Sequence, residues 1–187
     1  MRRVELFALS ILFIINGCFV SIPYKYTPIY QSGKKIPLYK VYDENNLVSR
    51  VFHKYKFYSQ VYERFMIIVI QSKNQKQIKL KFRYIGDDWI FFDRIIIMND
   101  KKDRMIWSVH NLDQNIDIIN KKNTLEEVDF TIRHEQVMRL EKLLKNANKV
   151  KFWLMGKEDA IFSISDQDRL ANLEVINYYK KLDLKTS

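Results

Sequence analysis

The sequence predicts an α+β fold, an antiparallel β-sheet of about six to eight strands with two helices from the C-terminal region packed on it. Three observations carry this expectation. Ile78, Leu80, Phe82 and Tyr84 alternate with Lys79, Lys81 and Arg83, the period of two that marks a half-buried strand, here with a basic outer face. Trp89 to Met98 is apolar on both faces, as is Phe65 to Ile70, which suits strands covered on both sides. Val137, Leu140, Leu143, Leu144 and Ala147 instead recur at helical spacing.

Residues 19–48 hold all three prolines, Pro23, Pro28 and Pro37, and few periodic apolar positions, so they predict a tether that becomes ordered after Pro37. Gly86-Asp87 suits a two-residue type II′ turn after the strand that ends near Ile85, with glycine supplying the positive φ. That turn would set Tyr84 opposite Trp89 and Phe82 opposite Phe91. Residues 99–103 read as a turn, and Met105, Trp107 and Val109 as one face of the next strand. Residues 110–124 are rich in Asn and Asp and lack a period, which predicts a long loop or a poorly formed strand. Val128, Phe130 and Ile132 resume strand spacing. Glu135–Arg139 and Glu141–Lys145 support the first helix as i,i+4 pairs. Val150, Phe152 and Leu154 predict a strand, and a turn at 156–159 joins it to Ala160, Phe162 and Ile164. Ser165 to Asp168 can cap a last helix that runs through Leu170, Leu173, Ile176, Tyr179 and Leu182.

With 187 residues the chain holds about one domain. Its 47% hydrophobic and 29% charged residues exclude an all-disordered chain and a multi-pass membrane protein. One cysteine excludes an internal disulfide framework and a Cys-rich zinc site.

The N-terminus has its own grammar. Arg2 and Arg3 precede an apolar stretch from Leu6 to Ile15, and Asn16, Gly17 and Cys18 come next. A spanning helix needs about 20 apolar residues, more than this stretch offers. A positive start, a short apolar core and a small residue before a cut form an export signal. Ile15-Asn16-Gly17-Cys18 resembles the lipobox of bacterial lipoproteins, in the relaxed form common in spirochaete-type lipoproteins. The resemblance covers only this N-terminal segment. It implies cleavage before Cys18, a diacylglyceryl group on its sulfur and usually an acyl chain on the new amine. An ordinary secretory signal and an uncleaved anchor are the alternatives. One acyl chain of myristoyl length binds a bilayer only marginally, whereas two or three hold firmly. The expected organisation is thus a signal peptide at 1–17, a tether at 18–48 and a single α+β domain at 49–187. Loss of residues 1–17 removes two Arg and one Glu and lowers the formal charge of +10 by one unit. Phe19 after the cysteine lacks the Asp that retains lipoproteins at the inner membrane in enteric bacteria, which points to the outer membrane of the cell envelope.

Candidate chemistry is sparse. His53, His110 and His134 show no metal-ligand spacing, and no GxSxG, P-loop or GxGxxG is present, so neither a cofactor nor a metal is expected. Asp93 would share an apolar face with Trp89, Phe91 and Ile95, which makes it the candidate for a carboxylate-dependent hydrolase together with Asp87 or Asp88; the alternative is an exposed edge position or a bulge that turns Asp93 outward. Asp166 and Asp168 fit a helix start better than a cation site. Trp89, Trp107 and Trp153 are expected on strands, in the core. Positive charge is dispersed, with Lys34, Lys35, Lys101, Lys102 and Arg104 as the candidate surface for an anionic polymer or an envelope protein. Nucleic acid is not an expected partner of an exported chain. The leading expectation is a lipid-anchored, non-enzymatic binding or assembly protein. The alternatives are an adhesin that binds an anionic host glycan or host protein through its basic face, and the hydrolase.

Overall fold

The computed structural model describes residues 26–31, 33–42, 48–53, 64–73, 75–109, 114–119 and 123–183. Among them the α+β class holds: antiparallel strands in two sheets and two helices. The larger sheet contains β1 (Tyr26–Gln31), β2 (Lys34–Tyr42), β3 (Val48–His53), β4 (Phe65–Ser72), β5 (Lys76–Gly86), β8 (Gln114–Ile119) and β9 (Asn123–Ile132), in the order β1-β2-β3-β4-β5-β9-β8. The smaller contains β6 (Arg94–Asn99), β7 (Arg104–Ser108), β10 (Val150–Met155) and β11 (Ala160–Ile164), in the order β11-β10-β6-β7. Helix α1 spans His134–Lys145 and α2 spans Asp166–Asp183. No described helix is long and apolar enough to cross a membrane.

Both sheets and both helices share one core. Phe65 and Phe82 from the larger sheet, Ile97 and Phe152 from the smaller, Leu140 of α1 and Ile176 of α2 belong to a single buried cluster. Phe82 is at its centre, with ring centroids 5.0 Å from Phe65, 5.9 Å from Phe152 and 6.0 Å from Phe130. The reverse face of β2–β4 carries a smaller cluster of Val41, Phe52 and Met66, so β4 is apolar on both faces as its sequence predicts. Helix α2 packs on β3 and β4. β3 pairs with β4 only as far as Val51↔Val69, and the Ile67 N–H beyond that point donates to Asn172 Oδ1 of α2 at 3.0 Å. Ser165 Oγ accepts the Asp168 N–H at 3.1 Å, the expected N-terminal cap.

The basic outer face of β5 is paired with acidic residues of its neighbour. Lys79 meets Asp129 at 2.8 Å and Lys81 meets Glu127 at 2.6 Å, while Arg83 shares the Glu127 carboxylate. Buried Glu141 of α1 is likewise ringed by Lys145 at 2.6 Å and Lys180 at 2.9 Å. Burial pushes the Glu141 carboxyl up, but the two ammonium groups outweigh burial and hold it below the ordinary value of 4.5. A carboxyl depressed by folding stabilises the fold above its unfolded pKa, and that contribution disappears as pH falls through the lower folded value. The urea midpoint of the wild type should therefore fall more steeply between about pH 5 and pH 3 than that of Glu141→Gln.

Three expectations of the fold need correction. The tether reading fails over residues 26–31 and 34–37, which lie in β1 and the start of β2, while the order after Pro37 is as expected. Proline is compatible with a sheet at an edge strand or a bulge. Pro28 lies in edge strand β1, and the β1–β2 register shifts between Pro28 and Tyr30, opposite the stretch that holds Pro37. The hairpin at Gly86-Asp87 does not form. Gly86 ends β5, pairs with Thr124 and lacks a positive φ, because β9 rather than the segment after Gly86 lies beside β5. The apolar run from Trp89 is a strand only from Arg94, and residues 89–93 are an irregular crossover between the two sheets. Within 110–124, for which a long loop or a poorly formed strand is expected, residues 114–119 take the strand alternative as β8, whose polar side chains are tolerated at a sheet edge.

Candidate functional site

The crossover brings together the most unusual polar group of the fold. Glu126 of β9 is fully buried, and its carboxylate accepts the Ile90 N–H at 2.6 Å, the Phe91 N–H at 3.0 Å and the Phe92 N–H at 3.3 Å. Three successive amides aimed at one anion form a nest, here filled by the chain's own side chain. Phe91 takes φ 47° to present them, a left-handed conformation that costs a bulky residue about 1–3 kcal/mol. The other side of the crossover lies against the smaller sheet. Asp93 N–H donates to the Met155 carbonyl at 2.9 Å and Lys157 N–H to the Ile90 carbonyl at 2.8 Å. A Cβ on Gly156 would overlap the Ile90 and Phe91 carbonyls, so only glycine allows that approach. This arrangement is a structural clasp: every oxygen of the carboxylate is aimed at backbone amides and the residue is closed to solvent.

A second arrangement is open. β7 is an edge of the smaller sheet, and α1 runs beside it. A cavity of about 340 Å³ is lined by Arg104, Ile106, Trp107, Gln136 and Arg139, and one of about 210 Å³ continues it past Lys142. The walls are pinned at one end. Buried Asn99 Nδ2 donates to Asp103 Oδ2 at 3.0 Å and to the Leu143 carbonyl at 3.3 Å, while its Oδ1 accepts from the Lys101 and Asp103 amides. Asp100 Oδ1 accepts the Asn148 N–H at 3.0 Å. Gln136 Oε1 accepts the Arg133 N–H at 2.9 Å and so fixes the start of α1. None of the described ion pairs uses Arg104, Arg139 or Lys142. The groove therefore has a basic rim and an apolar floor at Trp107, with Ile106 about half exposed (49%).

The residues singled out in the sequence are scattered over the fold. Cys18 and His110 lie outside the described residues. Lys34 and Lys35 belong to β2 of the larger sheet, where Lys35 Nζ is 5.9 Å from the Tyr39 ring centroid. Lys101, Lys102 and Arg104 are exposed at the β6–β7 turn of the smaller sheet. Arg104 of these lines the groove. Asp93, Asp87 and Asp88 are exposed, and Asp93 lines neither the groove nor the cavity of about 200 Å³ between β2 and α2. The apolar strand face with Trp89 and Phe91 does not form, because no strand spans 89–93, and Asp93 takes the outward position that was the alternative. Asp88 Oδ1 accepts the Trp89 N–H at 2.8 Å, a local turn contact. Trp107 and Trp153 are on strands, whereas Trp89 is on the crossover. His53 Nε2 is 2.9 Å from Glu174, and the His134 ring lies 6.1 Å from that of Tyr179. No group of three or more metal-ligating side chains occurs among the described residues.

Sequence reasoning missed Glu126, Arg139 and Lys142. The signal for Glu126 was present: it falls on the same parity as Val128, Phe130 and Ile132, a carboxylate at an inward position. Arg139 and Lys142 carry no such signal, because their role depends on which strand lies beside the helix. No protein-family model, no curated protein and no solved structure matches the chain.

Proposed function

We propose that this is a bacterial lipoprotein of the cell envelope, anchored through lipid on Cys18, whose α+β domain binds or assembles with a partner and carries out no catalysis. The observation that carries the anchoring is the lone cysteine directly after Gly17, at the end of a short apolar run preceded by Arg2 and Arg3. Diacylation there turns marginal membrane affinity into stable attachment. The binding half of the reading is supported by the groove along β7, which offers cations and an apolar floor. The outer membrane is the favoured location, on the strength of Phe19 at the position after the cysteine.

Metabolic labelling with a fatty acid in the native cell tests the anchor. The wild type should incorporate label and fractionate with membranes, and Cys18→Ala should lose both properties. Equal labelling of the two proteins would reject attachment through Cys18.

A further inference from the structure

We propose that the groove between β7 and α1 receives an extended, acidic peptide segment of a partner protein, added as a further strand to the edge of the smaller sheet. The inference rests on the reading of the folded part as a binding domain and names the chemistry of its partner.

Strand pairing identifies the free backbone groups. In an antiparallel ladder, alternate residues exchange both hydrogen bonds with the partner strand, and the residues between them point their amides and carbonyls away. The Val109 N–H donates to the Asp93 carbonyl at 2.7 Å, and the Asn99 N–H to the Asp103 carbonyl at 3.0 Å. With the register Ile95↔Trp107 and Ile97↔Met105, Trp107 and Met105 are bonded to β6. Arg104, Ile106 and Ser108 therefore direct their backbone groups outward, where no described strand pairs with them.

The shape of the cavity agrees. It is lined by Met105 and Trp107 from one face of β7 and by Arg104 and Ile106 from the other, so it runs along the strand's edge and not over either face. A chain laid there would satisfy the outward groups of β7. Alternate side chains would then lie beside Arg139 and Lys142 of α1, and the others beside Ile106. Arg139 and Lys142 have no described ion-pair partner, so acidic residues on the α1 side complement them. The outer edge of the larger sheet is protected differently: β1 carries Pro28 and a register shift, both of which discourage further pairing. β7 has neither device.

The probe is a dye-labelled peptide of about seven residues alternating Glu and Val, titrated by fluorescence anisotropy against the full chain in detergent micelles. It should bind at least about 10-fold more tightly than the same peptide with Lys for Glu. N-methylation at alternate residues gives two peptides of equal charge. The one whose blocked amides face β7 should lose about 10-fold or more, and the other should change little. Ile106→Pro, which removes an outward donor that β6 does not use, should match the first loss, and Arg139→Glu should weaken binding and reduce the preference for acid. Should Ile106→Pro fail to fold, the N-methylated pair decides the matter on the wild type. Equal affinity for acidic and basic peptides overturns the proposal. So does indifference to both N-methylations, which marks charge attraction alone. A wild-type dimer in sedimentation that Ile106→Pro dissolves overturns it in favour of a second copy of this chain. Failure of peptide binding leaves fatty-acid labelling of Cys18 intact, and failure of labelling leaves peptide binding intact, so the two readings fall separately.

Discussion

Glu126→Gln is expected to lower folding stability by about 2–4 kcal/mol, enough to displace the urea midpoint strongly without changing its slope. The reason is geometric. The carboxylate accepts all three amides of residues 90–92, and a charged acceptor makes each bond stronger than a neutral one. Glutamine keeps one acceptor oxygen and turns its NH₂ toward an N–H, so at least one buried donor loses its acceptor. The left-handed Phe91 then loses the contacts that hold it. Glu126→Asp should cost at least as much, because its shorter side chain withdraws a buried charge from the amides that satisfy it. A glutamine variant with wild-type stability would show that the clasp contributes nothing.

Phe82→Ala should cost about 3–5 kcal/mol, the range for a buried phenylalanine whose neighbours cannot fully close the space left. Phe82 is fully buried and touches rings from both sheets, Phe65 and Phe130 from the larger and Trp107 and Phe152 from the smaller. Its loss removes the centre of the contact between layers. Phe82→Leu keeps most of the volume and should cost less than half as much, about 1.5 kcal/mol or below. Thermal or urea unfolding of both variants against the wild type gives the ratio. Equal effects would mean that volume at this position is not what joins the layers.

The readable parts of the fold were those decided by local pattern. The alternation at 78–84, the helical spacing at 137–147, the hairpin at 150–164 and the serine cap at 165 depend on residues close in the chain, and each is present. The errors arose where a distant residue decided the outcome. An apolar stretch such as 89–92 has the composition of a strand, yet the amides of residues 90–92 bond to a side chain on β9 and not to a neighbouring ladder. Pro28 suggested a tether because the place of β1 at a sheet edge, where proline costs little, is a fact of topology. The candidate site was half legible. Arg104 was singled out as a cation, but Arg139 and Lys142 became its companions only when α1 came to lie along β7. The basic face of β5 was visible as Lys79, Lys81 and Arg83, and its pairing with Glu127 and Asp129 was not, since it required the β5–β9 pairing.

The clasp also imposes an order on folding. The acceptor for the amides of Ile90, Phe91 and Phe92 lies 36, 35 and 34 positions further along the chain. Chain made from its N-terminus therefore completes β4 and β5 well before it can close the link that joins one sheet to the other. Until β9 emerges, a growing polypeptide has a hairpin ready to zip and lacks the acceptor for these three amides, so consolidation of the two layers is a late, long-range event.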